Sequence, residues 1–119
     1  MVREKFRYIV FTTKYNKELV PADIYKGIAN SANEILSDWD YAMTMPKLKI
    51  VEYYSHLGMG IVKVFLSGVE SIHKIFSQVI EVNGLITQLR IVKVSGIIKK
   101  AKKWIINNQK TEERREVRI

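Results

Sequence analysis

The sequence contains no cysteine among its 119 residues, which excludes disulfide bonds, thiol catalysis and metal sites built on cysteine. Its two histidines are His56 and His73, and neither has a catalytic or metal-binding partner close in the sequence. A glycine-rich phosphate loop and a nucleophile–base pair are also missing. We therefore expect that the chain is not catalytic by itself and binds no metal or cofactor of its own.

Long apolar runs are missing as well. No segment approaches the about 18 uninterrupted apolar residues of a membrane-spanning helix, and the first residues are charged rather than signal-like. These absences predict a cytoplasmic protein with no membrane among its partners. With 47% hydrophobic residues, the chain has enough apolar surface to bury a core. Its length suits one domain, for which we expect residues 1–108, followed by a polar, flexible tail at 109–119.

Apolar patterning along the chain predicts four strands and three helices. The predicted strands are residues 4–13, 47–54, 60–67 and 85–94, and the predicted helices are residues 21–38, 69–81 and 94–105. Pro21 and Asp23 suit the first turn of the first helix, residues 38–46 are expected to be a loop, and Asn83-Gly84 is a stop for the second helix. The order βαββαβ is typical of the α+β, ferredoxin-like arrangement, a four-stranded antiparallel sheet with two helices on one face. A C-terminal basic amphipathic helix follows it.

The sheet face away from the two helices carries one set of side chains from the third strand. Two of its three members, Ile61, Lys63 and Phe65, are apolar. Such a surface is too apolar to remain bare in a monomer. Either the apolar side of the third helix or another chain covers it, and the sequence leaves both open. We assign these three residues to a protein interface.

The positive charge is concentrated towards the C-terminus. The chain has a formal net charge of +8, and residues 90–119 hold ten lysines and arginines against three acids. The preceding residues are close to neutral. This asymmetry favours a polyanionic partner, with nucleic acid as the first choice and an acidic protein or membrane surface as the alternative.

The third helix has two distinct faces when it is drawn at about 100° per residue. The apolar face consists of Ile97, Ile98, Ala101, Trp104 and Ile105, and the opposite face carries Lys99, Lys100, Lys102 and Lys103 without an acid among them. Lysines three and four positions apart repel one another, and nearby phosphates would offset that cost. We therefore predict that the four lysines contact phosphates while the apolar face docks on the domain.

Neighbouring residues extend this predicted RNA-binding surface. Ser95-Gly96 lies at the entry to the helix, where it either caps the first turn or holds an oxyanion on free N–H groups. Further positive charge comes from Lys93 on the fourth strand and from Arg3, Lys5 and Arg7 at the first strand. The first and fourth strands are neighbours in the predicted fold, so these side chains are expected near the helix.

The sheet itself lacks the third-strand signature of RNA-binding domains with this fold. That signature places aromatic rings where bases stack, and this chain has Met59, Ile61 and Val64 at those positions. We therefore expect the third helix, rather than the sheet, to contact RNA.

Three segments, in this order and spacing, resemble a known family. They are Arg7-Tyr8-Ile9-Val10, the segment GMGIVKV at 58–64, and the segment VKVSGIIKKA at 92–101 that leads into the basic helix. Together they are similar to the ribonuclease P protein component 2 family, a small subunit shared by archaeal and eukaryotic ribonuclease P. Two positions depart from the family pattern, since Ile97 stands where Thr is common and Lys63 stands where Arg is common.

The resemblance implies a non-catalytic, RNA-binding subunit of an archaeal-type endoribonuclease, a hydrolase that removes the 5′ leader of precursor tRNA. In that family the chemistry belongs to the ribonuclease P RNA and its Mg²⁺ ions. The protein pairs with the barrel-shaped component 3, acts beside other protein subunits and stabilises the catalytic domain of the RNA. Self-association through the open sheet face is a rival to the component 3 contact. The alternative function is a ferredoxin-like interaction or regulatory domain that uses its basic helix on an acidic protein or membrane surface.

Overall fold

The computed structural model describes residues 5–13, 19–78, 80–82 and 84–117, of which residues 85 and 109–117 are described by their backbone alone. These segments form six strands and four helices. The strands are β1 (Phe6–Thr13), β2 (Lys49–Tyr54), β3 (Met59–Phe65), β4 (Ile80–Val82), β5 (Leu85–Thr87) and β6 (Leu89–Ser95). The helices are α1 (Pro21–Ile35), α2 (Asp38–Thr44), α3 (Val69–Phe76) and α4 (Ile98–Val117). None of the helices in these segments is long and apolar enough to cross a membrane.

Four of the strands form one antiparallel sheet in the order β2-β3-β1-β6. β1 and β3 are central and carry apolar side chains on both faces. Three consecutive residues of β1, Ile9, Val10 and Phe11, are fully buried although they alternate between the faces, which requires a cover on each side of the sheet. The antiparallel sheet with its helices confirms the predicted α+β class.

The larger core lies between one face of the sheet and helices α1 and α3. Its fully buried members include Ile9, Phe11, Val62 and Val64 from the sheet, Ile24 and Ile28 from α1, and Ile72 and Ile75 from α3. Each such side chain contributes about 1.5–3 kcal/mol when it leaves water. α1 begins as predicted, with Pro21 in its first turn and Asp23 facing the positive end of the helix dipole.

The segment predicted to be a loop at residues 38–46 instead contains helix α2, so that prediction is wrong. Ser37 is its N-cap, and the Ser37 hydroxyl accepts a hydrogen bond of 3.1 Å from the backbone N–H of Asp40. Asp38 and Asp40 both lie in the first turn, where their charge is favourable. α1 ends at Ile35, so Trp39 belongs to α2. The side chain of Trp39 is 73% exposed.

The second predicted helix, residues 69–81, is also too long. α3 ends at Phe76, and residues 80–82 form β4, where Ile80 and Val82 are buried and Glu81 is exposed. This alternation has the two-residue period of a strand.

β4 pairs with β5 across a tight turn. Gly84 in that turn has a φ of 82°, a conformation that glycine adopts without strain. Asn-Gly is a hairpin signal as well as a helix stop; Asn83 itself lies outside the described residues. The predicted strand 85–94 is therefore divided into β5 and β6.

α4 begins later than predicted and ends much later. β6 continues to Ser95, and the helix runs from Ile98 to Val117. Its backbone therefore continues through most of the segment that was predicted to be a flexible tail. The domain boundary at residue 108 stays a prediction.

Candidate nucleic-acid interface

Helix α4 folds back from the end of β6 and covers the sheet face opposite α1 and α3. Ala101 and Ile105, one turn apart on α4, are buried against Val10 of β1 and Ile61 of β3. The half-buried Trp104 packs at the side of this smaller core. The sequence left open whether this face is covered by the C-terminal helix or by another chain. In the structure the helix of the same chain covers it.

This packing changes two assignments made from the sequence. Ile61, assigned to a protein interface, is fully buried beneath α4 and presents no surface to another chain while the helix is docked. Ile97, assigned to the docking face, is 49% exposed. It lies in the bend before the helix, where its carbonyl accepts hydrogen bonds from the N–H groups of Lys100 and Ala101.

Ser95 fixes that bend through its side chain. Its hydroxyl donates a 3.1 Å hydrogen bond to the carbonyl of Ile97 and accepts one of 3.1 Å from the N–H of the same residue. The hydroxyl of Ser95 therefore donates its single proton to the backbone of the same chain, as expected of a residue that stabilises a turn. Gly96 is exposed, and a Cβ atom placed on it would lie 3.3 Å from Nη1 of Arg7. The start of α4 is therefore next to the beginning of β1, as the predicted surface requires.

Three of the four helix lysines project into solvent. Lys99, Lys100 and Lys103 are exposed, and none of them has an acidic partner within the described part of the chain. We call these three residues the lysine ridge. Lys99 and Lys100 lie in the first turn of α4, which contains no acid. Lysines at this end face the positive pole of the helix dipole, so both the charges and the dipole favour an anion here.

Lys102 differs from the other three because it has a partner. Its Nζ lies 3.3 Å from Oε1 of Glu52 on β2, and the two side chains are 41% and 38% exposed. An ion pair with this exposure contributes at most about 1 kcal/mol. No sequence signal pointed to Glu52, because the two residues lie fifty positions apart and meet only after α4 has docked across the sheet.

The remaining basic residues of the predicted surface lie in different places. Lys93 is exposed on the edge strand β6, opposite Val10 in the register. Lys5 is exposed just before β1. Arg7 is half-buried, and its Nη1 donates a 3.0 Å hydrogen bond to the carbonyl of Phe6. Arg3 lies outside the described residues.

Lys63 and Phe65, the other two predicted interface residues, are half-buried at one end of the sheet. The ring of Phe65 stacks on that of Phe6 with 4.7 Å between centroids. Nζ of Lys63 lies 4.2 Å from the centroid of the Phe6 ring. These contacts join β1 and β3 beyond the part of the sheet that α4 covers.

The described residues contain no cluster of three or more His, Asp or Glu side chains able to hold a metal ion. His56 is exposed and its ring meets Tyr54 edge-on at 6.4 Å, and His73 is exposed on α3. The concentration of charge on α4 is thus the most distinctive chemical feature of the described surface.

The model of the Rpp14/Pop5 family matches residues 7–106, from β1 to the docked part of α4, and curated proteins gave no match. Because the matched region includes most of the chain, with both the docking face of α4 and its lysines, the protein belongs to the Rpp14/Pop5 family, a family of ribonuclease P protein subunits.

Proposed function

We propose that this chain is the component 2 type of ribonuclease P subunit, and that it binds the catalytic domain of the ribonuclease P RNA through the lysine ridge. The observation that carries the proposal is a group of exposed cations, without acidic partners among the described residues, on a helix that is docked on the sheet. Ala101 and Ile105 fix the inner side of α4, and this places the backbone of Lys99, Lys100 and Lys103 on the outer side. A helix that is ordered before binding loses less entropy when its side chains meet phosphates.

The physical role follows from the RNA as a polyanion. Folding the catalytic domain brings phosphates together, and each lysine that neutralises a phosphate releases condensed counterions. The chain would thereby lower the Mg²⁺ concentration at which the RNA removes the 5′ leader of precursor tRNA. In this proposal the hydrolysis and its Mg²⁺ ions belong to the RNA, and the chain supplies no reacting group.

We further propose that the fold is the ferredoxin-like arrangement with α4 as an appended basic helix. Two observations support this. If the β4–β5 hairpin is set aside as an insertion, β6 becomes the fourth strand of the main sheet. The observed order β2-β3-β1-β6 then corresponds to the order 2-3-1-4 of a ferredoxin-like sheet. Helices α1 and α3 pack on the same face of the sheet, as the arrangement requires.

Ribonuclease P protein component 3 is the proposed protein partner, beside other protein subunits of the enzyme. With Ile61 buried, the contact lies elsewhere than at the centre of the sheet. Support for a protein contact comes from α2, where Trp39 and Met43, one turn apart, are 73% and 41% exposed. Size-exclusion chromatography of the chain alone and with component 3 distinguishes self-association from this pairing.

The test of RNA binding is the salt dependence of affinity. The variant K99Q/K103Q removes two charges of the ridge, and the control K26Q/K74Q removes two exposed charges from α1 and α3 on the other side of the molecule. The slope of log affinity against log salt should become shallower by about 1.5–2 for K99Q/K103Q and stay unchanged for the control. Equal slopes for both variants and the unaltered chain would remove α4 from the RNA interface.

A further inference from the structure

A second surface with the chemistry of a nucleic-acid site lies at the end of the sheet that α4 leaves open. Phe6 of β1 and Phe65 of β3 face each other in the register, and their rings stack at 4.7 Å with 27° between the ring planes. Both rings are half-exposed and neither belongs to the core beneath α4, which reaches only as far as Tyr8 on β1. Two partly exposed aromatic rings therefore lie side by side on the central strands.

Lysines surround these rings. Nζ of Lys63 is 4.2 Å from the centroid of Phe6, and Nζ of Lys47 is 5.8 Å from that of Phe65. Lys49 is exposed and pairs with Lys63 across β2 and β3. We call the two rings and these three lysines the sheet-end patch; its members are Phe6, Lys47, Lys49, Lys63 and Phe65.

None of the lysines of the patch has an acidic partner within 4 Å among the residues that the structure describes. The four strands of the main sheet contain a single acid, Glu52, and it is paired with Lys102 of α4. Contact with the ring faces stabilises Lys47 and Lys63 to some extent, and Lys49 adds a third positive charge beside Lys63. A protein partner that buried this patch would have to desolvate three like charges, whereas a polyanion would neutralise them.

We propose that the sheet-end patch binds an unpaired segment of RNA, with a base stacked on Phe6 or Phe65 and the adjoining phosphates on the surrounding lysines. Every base presents a π-face, so aromatic rings beside cations bind single strands with little sequence preference. The flexible side chain of Lys63 moves from the ring to a phosphate when a base takes its place. The proposal rests on the proposed function for the identity of the RNA. The residues of the sheet-end patch are separate from those of the lysine ridge.

This proposal revises two inferences from the sequence. It assigns Lys63 and Phe65 to RNA rather than to a protein interface. It also restores base stacking to the sheet, at a different place from the third-strand signature. The signature positions Met59 and Ile61 pack in the core beneath α4, whereas the rings lie at the opposite end of β3 and the beginning of β1.

The experiment compares single-stranded with double-stranded RNA, using the full chain alone. Fluorescence anisotropy measures binding of a labelled oligouridine of about 12 nucleotides, a length within the site sizes of single-strand binders, and of a duplex of equal length. The variant F6L/F65L retains apolar side chains and removes both rings. Y25L is the matched control, because Tyr25 is an exposed aromatic residue on α1, in the layer on the other face of the sheet.

F6L/F65L should bind the oligouridine about tenfold more weakly, with an unchanged salt slope and unchanged affinity for the duplex, while Y25L should bind both as the unaltered chain does. K99Q/K103Q, in contrast, should make the salt slope for the duplex shallower. If F6L/F65L binds oligouridine as tightly as the unaltered chain, the stacking proposal is wrong even where the lysine-ridge variants confirm the proposed function. If neither pair of substitutions has an effect, both proposals fail.

A second measurement does not depend on the folding of a variant. Oligouridine containing 4-thiouridine is irradiated with the unaltered chain, and mass spectrometry locates the crosslinks. Crosslinks at Phe6 or Phe65 are expected. Crosslinks confined to residues outside the sheet-end patch would overturn the proposal.

Discussion

Replacing Ile105 by alanine separates the docking of α4 from its charge. Ile105 is 2% exposed and packs with Val10 and Ile61, so the change removes buried carbon atoms and leaves every lysine in place. Such a substitution costs about 2–5 kcal/mol. We expect about 2–3 kcal/mol, because the core beneath α4 is small and lies under a single helix that can move inward. Tm should fall by on the order of 10 °C.

The same substitution should weaken RNA binding severalfold at temperatures where the protein remains folded. The lysine ridge keeps its charge, so the salt slope stays unchanged, but a loosely docked helix has to be ordered on binding. The matched control is I106A, since Ile106 is the neighbouring residue on the same helix and is 51% exposed. I106A should change stability by less than about 0.5 kcal/mol and leave RNA affinity unaltered.

Two assays check this prediction. Thermal unfolding followed by circular dichroism gives Tm, and fluorescence anisotropy gives the affinity for an RNA that comprises the catalytic domain. Equal losses of Tm in I105A and I106A would refute the docking of α4 on the sheet. A lower Tm for I105A with undiminished RNA affinity would refute the role of docking in holding the lysine ridge.

Three further substitutions test individual contacts. E52Q removes the partner of Lys102 and should cost less than about 1 kcal/mol of stability, while anisotropy at low salt should show tighter RNA binding; unchanged affinity would mean that Lys102 does not reach the RNA. G60A would place a Cβ atom 2.7 Å from the ring of Phe11 and should lower the free energy of unfolding in urea by about 1–3 kcal/mol; an unchanged midpoint would contradict that close approach. S95A should cost about 1 kcal/mol without changing RNA affinity, and a loss of affinity at constant stability would assign the hydroxyl to a phosphate.

The features that the sequence predicts correctly depend on residues close together along the chain. The first strand is rich in β-branched and aromatic residues, and α1 begins at Pro21 with Asp23 in its first turn. The segment that leads into the basic helix is similarly local, and it supported the resemblance to a ribonuclease P subunit family. The comparison confirms such a family, Rpp14/Pop5, and the component 2 type stays a prediction. Local propensity and local motifs are sufficient for these inferences.

Two errors concern short elements whose local signals were present but interpreted differently. The hydroxyl of Ser37 caps α2, a helix of seven residues that offers little periodicity to detect. The buried pair Ile80 and Val82 belongs to a strand of three residues, which also fits the end of an amphipathic helix. Both segments required tertiary packing to decide between the alternatives.

The remaining differences have no signal in the sequence because they depend on long-range register. Glu52 meets Lys102 only because α4 crosses the sheet. Phe6 and Phe65 become a stacked pair only through the alignment of β1 with β3. The sequence therefore predicted which segment carries the charge, while the structure was needed to determine which lysines of that segment are unpaired and where aromatic rings adjoin other cations.

The most direct test of the account is the Mg²⁺ requirement of leader removal by the reconstituted enzyme. Ribonuclease P RNA and component 3 are combined with the unaltered chain, with K99Q/K103Q or with K26Q/K74Q, and cleavage of precursor tRNA is measured across a Mg²⁺ titration. The unaltered chain and K26Q/K74Q should lower the Mg²⁺ concentration for half-maximal cleavage equally, and K99Q/K103Q should lower it less. An identical Mg²⁺ requirement with all three proteins would contradict the central claim that the lysine ridge on α4 stabilises the catalytic RNA.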